Sequence, residues 1–478
     1  MTDATATAAW ECVIGLEVHV QLATATKMFC AQGFAFGADP NALIDPYTLG
    51  LPGALPVPNR EAIRLATRAA LAIGCTVHET SIFARKHYFY PDLPKGYQIS
   101  QFDRPLATGG AVRIESPTRG RVVVGVTRLH LEEDAGKSLH DRLAGRTAVD
   151  LNRAGAPLVE IVSEPDLRSP AEARAYLVAL KQLLLYAEVS ECSMEKGTLR
   201  VDANISIRRP GEARLGTKTE LKNLNSFANV ERALEIELAR QVAEREAGRA
   251  IRQVTQLFNA ATGEVKVLRS KEDSDDYRYF PDPDLPPLVL AADWIAEQRA
   301  ALPELPDAKR ERLMAAGLPA YHAGVVASER PIAAYFDACV AAGAEPKAAA
   351  DWLLETAMTD WNEGGTFPVP PARLAALLGL VKDGTIAKAG AKQLYAELKV
   401  ADAEPKAVAE RLGLVQVRDE GALAGWVDEV LAAHPDEVAR FRGGEAKLIG
   451  FFVGQVMKRS AGKADAKAIQ PLLKARLG

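Results

Sequence analysis

The sequence predicts an α+β chain, with an antiparallel-sheet domain first and an all-helical region after it. Three observations carry this. Trp10–Leu22 alternates apolar and polar residues with period two. The same alternation returns in three later segments. The stretch Pro281–Pro287, with four prolines in seven residues, then separates this half from one rich in Ala, Leu, Glu and Lys, where nearly every segment reads as helix.

In the first segment Cys12, Ile14, Leu16, Val18, Val20 and Leu22 share one face. Glu11, Glu17, His19 and Gln21 share the other, with only Val13 and Gly15 between them. Successive side chains on a strand point to opposite sides, so Glu17 and His19 project together and can share one cation. Leu49–Pro56 is a turn-rich loop, and Glu61–Gly74 is a helix stopped by its glycine. In Arg121–Asp134 the valines Val122, Val124 and Val126 hand over to Arg128, His130 and Glu132, and the strand ends in Glu132, Glu133 and Asp134. Ser169 as N-cap, Pro170 at the first helical position and Glu172 in the first turn start a helix that runs to about Glu188. Thr198–Arg208 shows the cleanest alternation: Leu199, Val201, Ala203, Ile205 and Ile207 against Arg200, Asp202, Asn204, Ser206 and Arg208. Gly216–Asn223 sets Lys218, Glu220 and Lys222 on one face, and Asn229–Ala247 is a charge-rich amphipathic helix. In the helical half, Pro368–Pro371 and Ala401–Pro405 are joints.

One such strand is explained by the polar side of a half-solvated sheet. Four together would make an open face carrying Glu17, His19, Arg128, Glu133, Asp202, Asn204, Lys218, Glu220 and Lys222. Crowded carboxylates repel unless a cation neutralises them, and oxygen ligands with one imidazole suit Mg²⁺ or Mn²⁺ better than zinc. A hard divalent ion beside Lys and Arg is equipment for nucleotide phosphates.

The remaining composition narrows the field. The chain has 478 residues, 48% hydrophobic and 25% charged, with a net charge of −4, so it is no generic nucleic-acid binder. Five scattered cysteines without a Cys-x-x-Cys argue for a reducing compartment. No apolar run reaches membrane-spanning length, and Met1–Ala9 lacks the basic and apolar regions of a secretory signal, so a cytoplasmic protein is expected. The final stretch Phe441–Gly478 holds eight Lys/Arg, among them Lys447, Lys458, Arg459 and Lys463, against two acids, a local charge of +6. A solvated helical face or contact with a phosphate backbone would both explain it. Ala135–Ser138 imitates the end of a Walker A loop, but Leu131 stands where the first glycine is required. Arg85–Asp92 and Asp275–Asp282 interleave aromatic and charged residues, a pattern of core-edge packing or of stacking on a nucleic-acid base.

Seven segments, Ile14–Leu22 (IGLEVHVQL), Arg85–Phe102 (RKHYFYPDLPKGYQISQF), Arg128–Ser138 (RLHLEEDAGKS), Asp150–Asp166 (DLNRAGAPLVEIVSEPD), Leu199–Ser206 (LRVDANIS), Glu220–Phe227 (ELKNLNSF) and Ser274–Asp284 (SDDYRYFPDPD), closely resemble the B subunit of the glutamine-dependent aspartyl/glutamyl-tRNA amidotransferase. Gly450–Lys458 is similar to the helical tail of that family, so the resemblance covers essentially the whole chain. It implies a catalytic sheet domain akin to glutamine synthetase and guanidino kinases over residues 1–292, a helical domain over 293–404 and a tRNA-binding helical tail over 405–478. It also implies a two-step reaction. ATP phosphorylates the side-chain carboxylate of Asp or Glu mischarged on tRNA(Asn) or tRNA(Gln). Ammonia, released from glutamine by an amidase A subunit, then displaces the phosphate, while a small C subunit steadies the heterotrimer.

By the same resemblance Glu17, His19, Glu133 and Asp202 match the catalytic metal-binding positions, with Glu220 as an addition. Lys86, Arg200 and Lys222 are expected at the ATP phosphates, and Asn204 and Asn223 are expected to orient substrate. Many members carry a four-cysteine zinc site in the loop after the first strand. Here only Cys30 of that set remains, with Gln32, Asp45 and Thr48 at the other places, so no zinc is expected. A tRNA-binding adaptor without catalysis, suggested by the tail, and a free-standing carboxylate kinase are the competing readings. The chain shows no glutaminase nucleophile, so ammonia must come from elsewhere.

Overall fold

The computed structural model describes residues 9–270, 276–417, 419–460 and 462–478; residues 1–8 of the Met1–Ala9 stretch, Ser274 of the segment Ser274–Asp284 and Asp275 of the aromatic motif lie outside them. The chain divides into two compact units, Met1–Pro306 and Asp307–Gly478. The expected boundary at 292 lies within the first unit, whose core takes up Trp294, Ile295, Leu302 and Leu305.

The first unit is built on the alternating strands. In chain order they are β1 (Glu11–Gln21), β2 (Thr76–Val77), β3 (Ala84–His87), β4 (Tyr97–Ser100), β5 (Ala107–Thr108), β6 (Ala111–Ser116), β7 (Gly120–Glu133), β8 (Pro157–Ser163), β9 (Leu199–Arg208), β10 (Thr219–Lys222), β11 (Val254–Asn259), β12 (Glu264–Ser270) and β13 (Phe280–Pro281). A ten-stranded sheet runs β12-β11-β10-β9-β1-β8-β7-β5-β2, with β6 also on β7, and a small sheet runs β13-β3-β4. β1 therefore lies near the middle, antiparallel to both β8 and β9. Its full-length alternation follows from that position: a central strand with one covered face must sort its side chains at every step.

The sheet is mixed rather than wholly antiparallel, because β10 and β11 run parallel. A parallel pair needs a crossover, and α3 (Phe227–Glu246) supplies it. Ser226 caps that helix, which starts two residues before the sequence-based expectation. The helix α1 (Arg60–Ile73) is capped by Asn59 and ended by Gly74 at φ 79°; α2 (Pro170–Tyr186) is capped by Ser169. These helices join Ile14, Leu16, Val18, Val20, Val201 and Ile205 in one hydrophobic core, so the helical layer covers the apolar side of the sheet. The opposite side keeps the charged groups.

The second unit is helical. One hydrophobic cluster spans Leu313 to Ala409, around Phe336, Trp352, Leu377 and Tyr395. Another joins the helices Glu420–Ala433, Ile449–Arg459 and Ala466–Leu477 through Leu423, Val427, Phe452, Val456 and Leu473.

Candidate active site

Strand register decides which groups meet on the open face. Glu17 of β1 lies opposite Asp202 of β9, and His19 lies opposite Arg200 on one side and Glu160 of β8 on the other. Asn204 lies opposite Glu220 of β10, and Glu160 opposite His130 of β7. Directly opposed residues of an antiparallel pair share a face, so these side chains converge.

They form two acidic triads, neighbours through β1. Glu17, Asp202 and Glu220 offer three carboxylate oxygens within 4.8 Å of one another, and His19, Glu132 and Glu160 offer an imidazole nitrogen and two oxygens at the same spacing. In the first triad Lys222 Nζ lies 2.5 Å from Asp202 Oδ2 and 3.0 Å from Glu220 Oε1. Asn204 Nδ2 donates to Glu17 Oε1 at 3.0 Å, and Thr255 Oγ1 donates to Glu220 at 2.7 Å. Burial, then the charges of Glu160, Asp202 and Glu220, push the Glu17 carboxyl above its usual range. In the second triad His19 Nε2 is 3.3 Å from Glu160 Oε2, and His130 Nε2 is 3.1 Å from Glu132 Oε1. Burial works against charge on His19, but its hydrogen bond to Glu160 together with the negative charges of Glu160 and Glu132 outweighs this and raises the imidazole. Burial also opposes charge on Lys86, yet Glu132 and Glu160 keep its ammonium firmly protonated.

The expected meeting of Glu17, His19, Glu133 and Asp202 at one spot is corrected by this geometry. Glu17 and Asp202 belong to one triad and His19 to the other. Glu133 joins neither: it accepts from Tyr47 Oη at 3.2 Å, from the Ile99 N–H at 3.0 Å and from Lys95 Nζ. Adjacent strand residues face opposite ways, so Glu132 occupies the open face and Glu133 the far side. The alternation Arg128, His130, Glu132 carried that parity. Glu160 was missed because it stands alone in the apolar run Pro157–Ser163 and offers no alternation.

Other expected groups are partly elsewhere. Arg200 Nη2 donates to Asp134 Oδ2 at 2.8 Å, at the edge of the face. Asn223, at φ 63°, donates to the Phe258 carbonyl at 3.0 Å and fastens the end of β10 to β11. Lys447, Lys458 and Lys463 are exposed in the second unit, and Arg459 Nε is 2.7 Å from Glu429 Oε2. At the loop after β1, Thr48 Oγ1 and the Thr48 N–H both donate to Asp45 Oδ1, at 2.7 and 2.9 Å. Burial and the neighbouring Asp45 push the Cys30 thiol up to about 12. One thiol and one carboxylate do not make a tetrahedral zinc site.

Beside the Glu17 triad lies a cavity of about 250 Å³, walled by Val13, Pro165, Ile205 and Leu215 with Ser206 and Lys218 at its polar side and Gly15 in its floor. A Cβ at Gly15 would meet nothing nearer than Pro165 at 3.8 Å, so protein packing does not demand the glycine. Gly216 differs, since its Cβ would fall 2.1 Å from the Ile207 carbonyl oxygen. A strand glycine that packing does not require leaves the backbone open to close approach at this point.

Comparison with known proteins places this geometry in a family. A family model described as the GatB/GatE catalytic domain matches residues 12–296, and one described as the GatB domain matches residues 334–477. A protein of Moorella thermoacetica, named as the B subunit of an aspartyl/glutamyl-tRNA(Asn/Gln) amidotransferase, is 50% identical over 475 residues, covering 98% of this chain and all of that protein. Proteins with the same name from Alkalilimnicola ehrlichii and Geobacter sulfurreducens are each 49% identical, over 98% of this chain and 99% of theirs. The chain belongs to the family of the aspartyl/glutamyl-tRNA amidotransferase B subunits.

Proposed function

We propose that this chain is the ATP-using subunit that amidates Asp or Glu mischarged on tRNA(Asn) or tRNA(Gln). The observation that carries the reading is the pair of acidic triads side by side on one sheet face, each with a lysine against it. The donor sets, all oxygen in one triad and two oxygens with one imidazole in the other, fit Mg²⁺. Glu17, Asp202 and Glu220 would hold one ion and His19, Glu132 and Glu160 another; when bound, they offset the negative charge that gathers in phosphoryl transfer.

The chain's own groups do the rest. ATP lies across the face, its base in the cavity above Gly15 and its phosphates toward the triads. Lys222 turns from Asp202 and Glu220 to the phosphates, and Lys86, held protonated, and Arg200 face the charge from the other side. Asn204 steadies Glu17. The amino acid's carboxylate oxygen attacks the γ-phosphorus, and ADP leaves. Its oxygen, a poor leaving group before, now departs as phosphate when ammonia attacks the acyl carbon. Ammonia comes from an amidase A subunit, with a small C subunit completing the complex. The basic tail around Lys447, Lys458, Arg459 and Lys463 contacts the tRNA backbone. The loop at Cys30 and Asp45 holds no zinc. No helix among the described residues is long and apolar enough to cross a membrane, which accords with work on tRNA in the cytoplasm.

The test is conversion of Asp-tRNA(Asn) and Glu-tRNA(Gln) with ATP, by the assembled complex and with ammonium chloride replacing the amidase. Glu17→Ala and Asp202→Ala should abolish conversion while tRNA still binds. Activity retained in both variants would overturn the assignment.

A further inference from the structure

We propose that the stacked ring pair of exposed Phe102 and half-buried Tyr279 seats the 3′-terminal adenosine of the substrate tRNA. This rests on the proposed function: the amino acid is esterified to that nucleotide, so its base must come within one aminoacyl ester of the triads.

The pair is built as a shelf. Phe102 follows β4 and is 55% exposed. Its ring stacks on Tyr279 with centroids 4.2 Å apart and planes 8° from parallel. A large apolar ring held flat and open to water is a platform for a further ring. The backbone that presents Tyr279 is strained, since Arg278 sits at φ 44°, in the left-handed region that non-glycine residues rarely adopt. An extended chain would set Tyr277 and Tyr279 on the same side, with their rings side by side. With the kink between them, their centroids lie 5.9 Å apart at 71°.

The shelf borders the His19 triad. Lys86 Nζ is 5.1 Å from the Tyr277 ring centroid, and Lys86 is also the lysine that Glu132 and Glu160 hold charged. The Tyr279 phenol, pushed up to about 12 chiefly by burial, feels Lys86, Glu132 and Glu160 as well. The Arg278 guanidinium is exposed, 3.7 Å from Asp276, and is placed to meet a phosphate.

The occupant follows from chemistry and position. Stacking on an aromatic ring with a nearby arginine is how proteins hold bases of single-stranded nucleic acid, such as a tRNA end. In the proposed function the purine of ATP takes the cavity lined by Gly15, next to the other triad. Two substrates of one reaction would thus approach the paired triads from two sides.

Phe102→Ala, tested in the complex with its partner subunits, should raise KM for mischarged tRNA about tenfold, the scale of one base–aromatic stack. Phe102→Trp should restore it, and KM for ATP should stay. In direct binding, tRNA shortened by its terminal adenosine should bind the parent protein about tenfold more weakly than full-length tRNA, and the Phe102→Ala variant should bind both alike. An unchanged KM for tRNA with an unchanged binding ratio overturns the proposal. So does a rise in KM for ATP, which would assign the shelf to the nucleotide. A parent complex inactive on both mischarged tRNAs would overturn the proposed function instead, and the binding ratio would still decide the shelf.

Discussion

Lys222 occupies the place between Asp202 and Glu220 that a metal ion would share, so its removal should strengthen metal binding. Lys222→Met keeps the length and loses the charge. At the 3.0 Å separation from Glu220 an effective dielectric of about 20 gives a charge–charge energy of about 5 kcal/mol. Lys222, Asp202 and Glu220 are 31%, 20% and 23% exposed, so solvent screening reduces the net effect to about 1–2 kcal/mol. That corresponds to roughly tenfold tighter Mn²⁺ or Mg²⁺. The comparison belongs at pH 8, well above the ordinary carboxylate range. Calorimetric titration with Mn²⁺ reads the affinity, and KM for ATP should rise in the same variant. Unchanged or weaker Mn²⁺ binding would refute the idea that lysine and metal compete for this triad.

Gly15→Val fills the cavity floor with a residue that strands favour, so the fold should keep its melting temperature while KM for ATP rises about tenfold; inorganic tripolyphosphate, which has no base, should bind parent and variant alike. Glu172 is buried and accepts from Arg119 Nε and Ser116 Oγ, each at 2.7 Å. Burial opposes its charge, but those bonds outweigh it and hold the carboxyl below its ordinary 4.5. A depressed native pKa stabilises above the unfolded value and is lost as pH falls through the native one. Glu172→Gln should therefore cost roughly 1–3 kcal/mol at pH 7, with the gap to the parent closing below about pH 4.5 in urea titrations. Replacing Lys447, Lys458 and Lys463 with Gln should flatten the salt dependence of tRNA binding, by up to about 3 in the logarithmic slope.

Local signals carried much of the fold. Sheet strands covered on one side write their burial as alternation, which is why β1 and β9 could be read residue by residue. Caps were equally plain: Gly74 ends one helix, and Ser169 and Glu172 start another. What stayed hidden depends on pairing between distant segments. Nothing near Val254–Asn259 announces that it runs parallel to Thr219–Lys222. Glu160 looks like an intruder in an apolar strand until register sets it opposite His19 and His130. With two consecutive glutamates at the end of β7, one step of parity separates a group of the triad from a partner of Lys95, and both the open-face reading and the resemblance took Glu133, although the run Arg128, His130, Glu132 carries the other parity. The division of acids into two triads likewise emerges only when five strands are placed side by side.

Counting divalent ions tests the central claim most directly. Mn²⁺ titrated into the protein with a non-hydrolysable ATP analogue, followed by electron paramagnetic resonance, should show two bound ions per chain. Asp202→Asn should remove one and Glu160→Gln the other. Two ions that survive both substitutions, or none at all, would contradict the account of the sheet face as a paired metal centre.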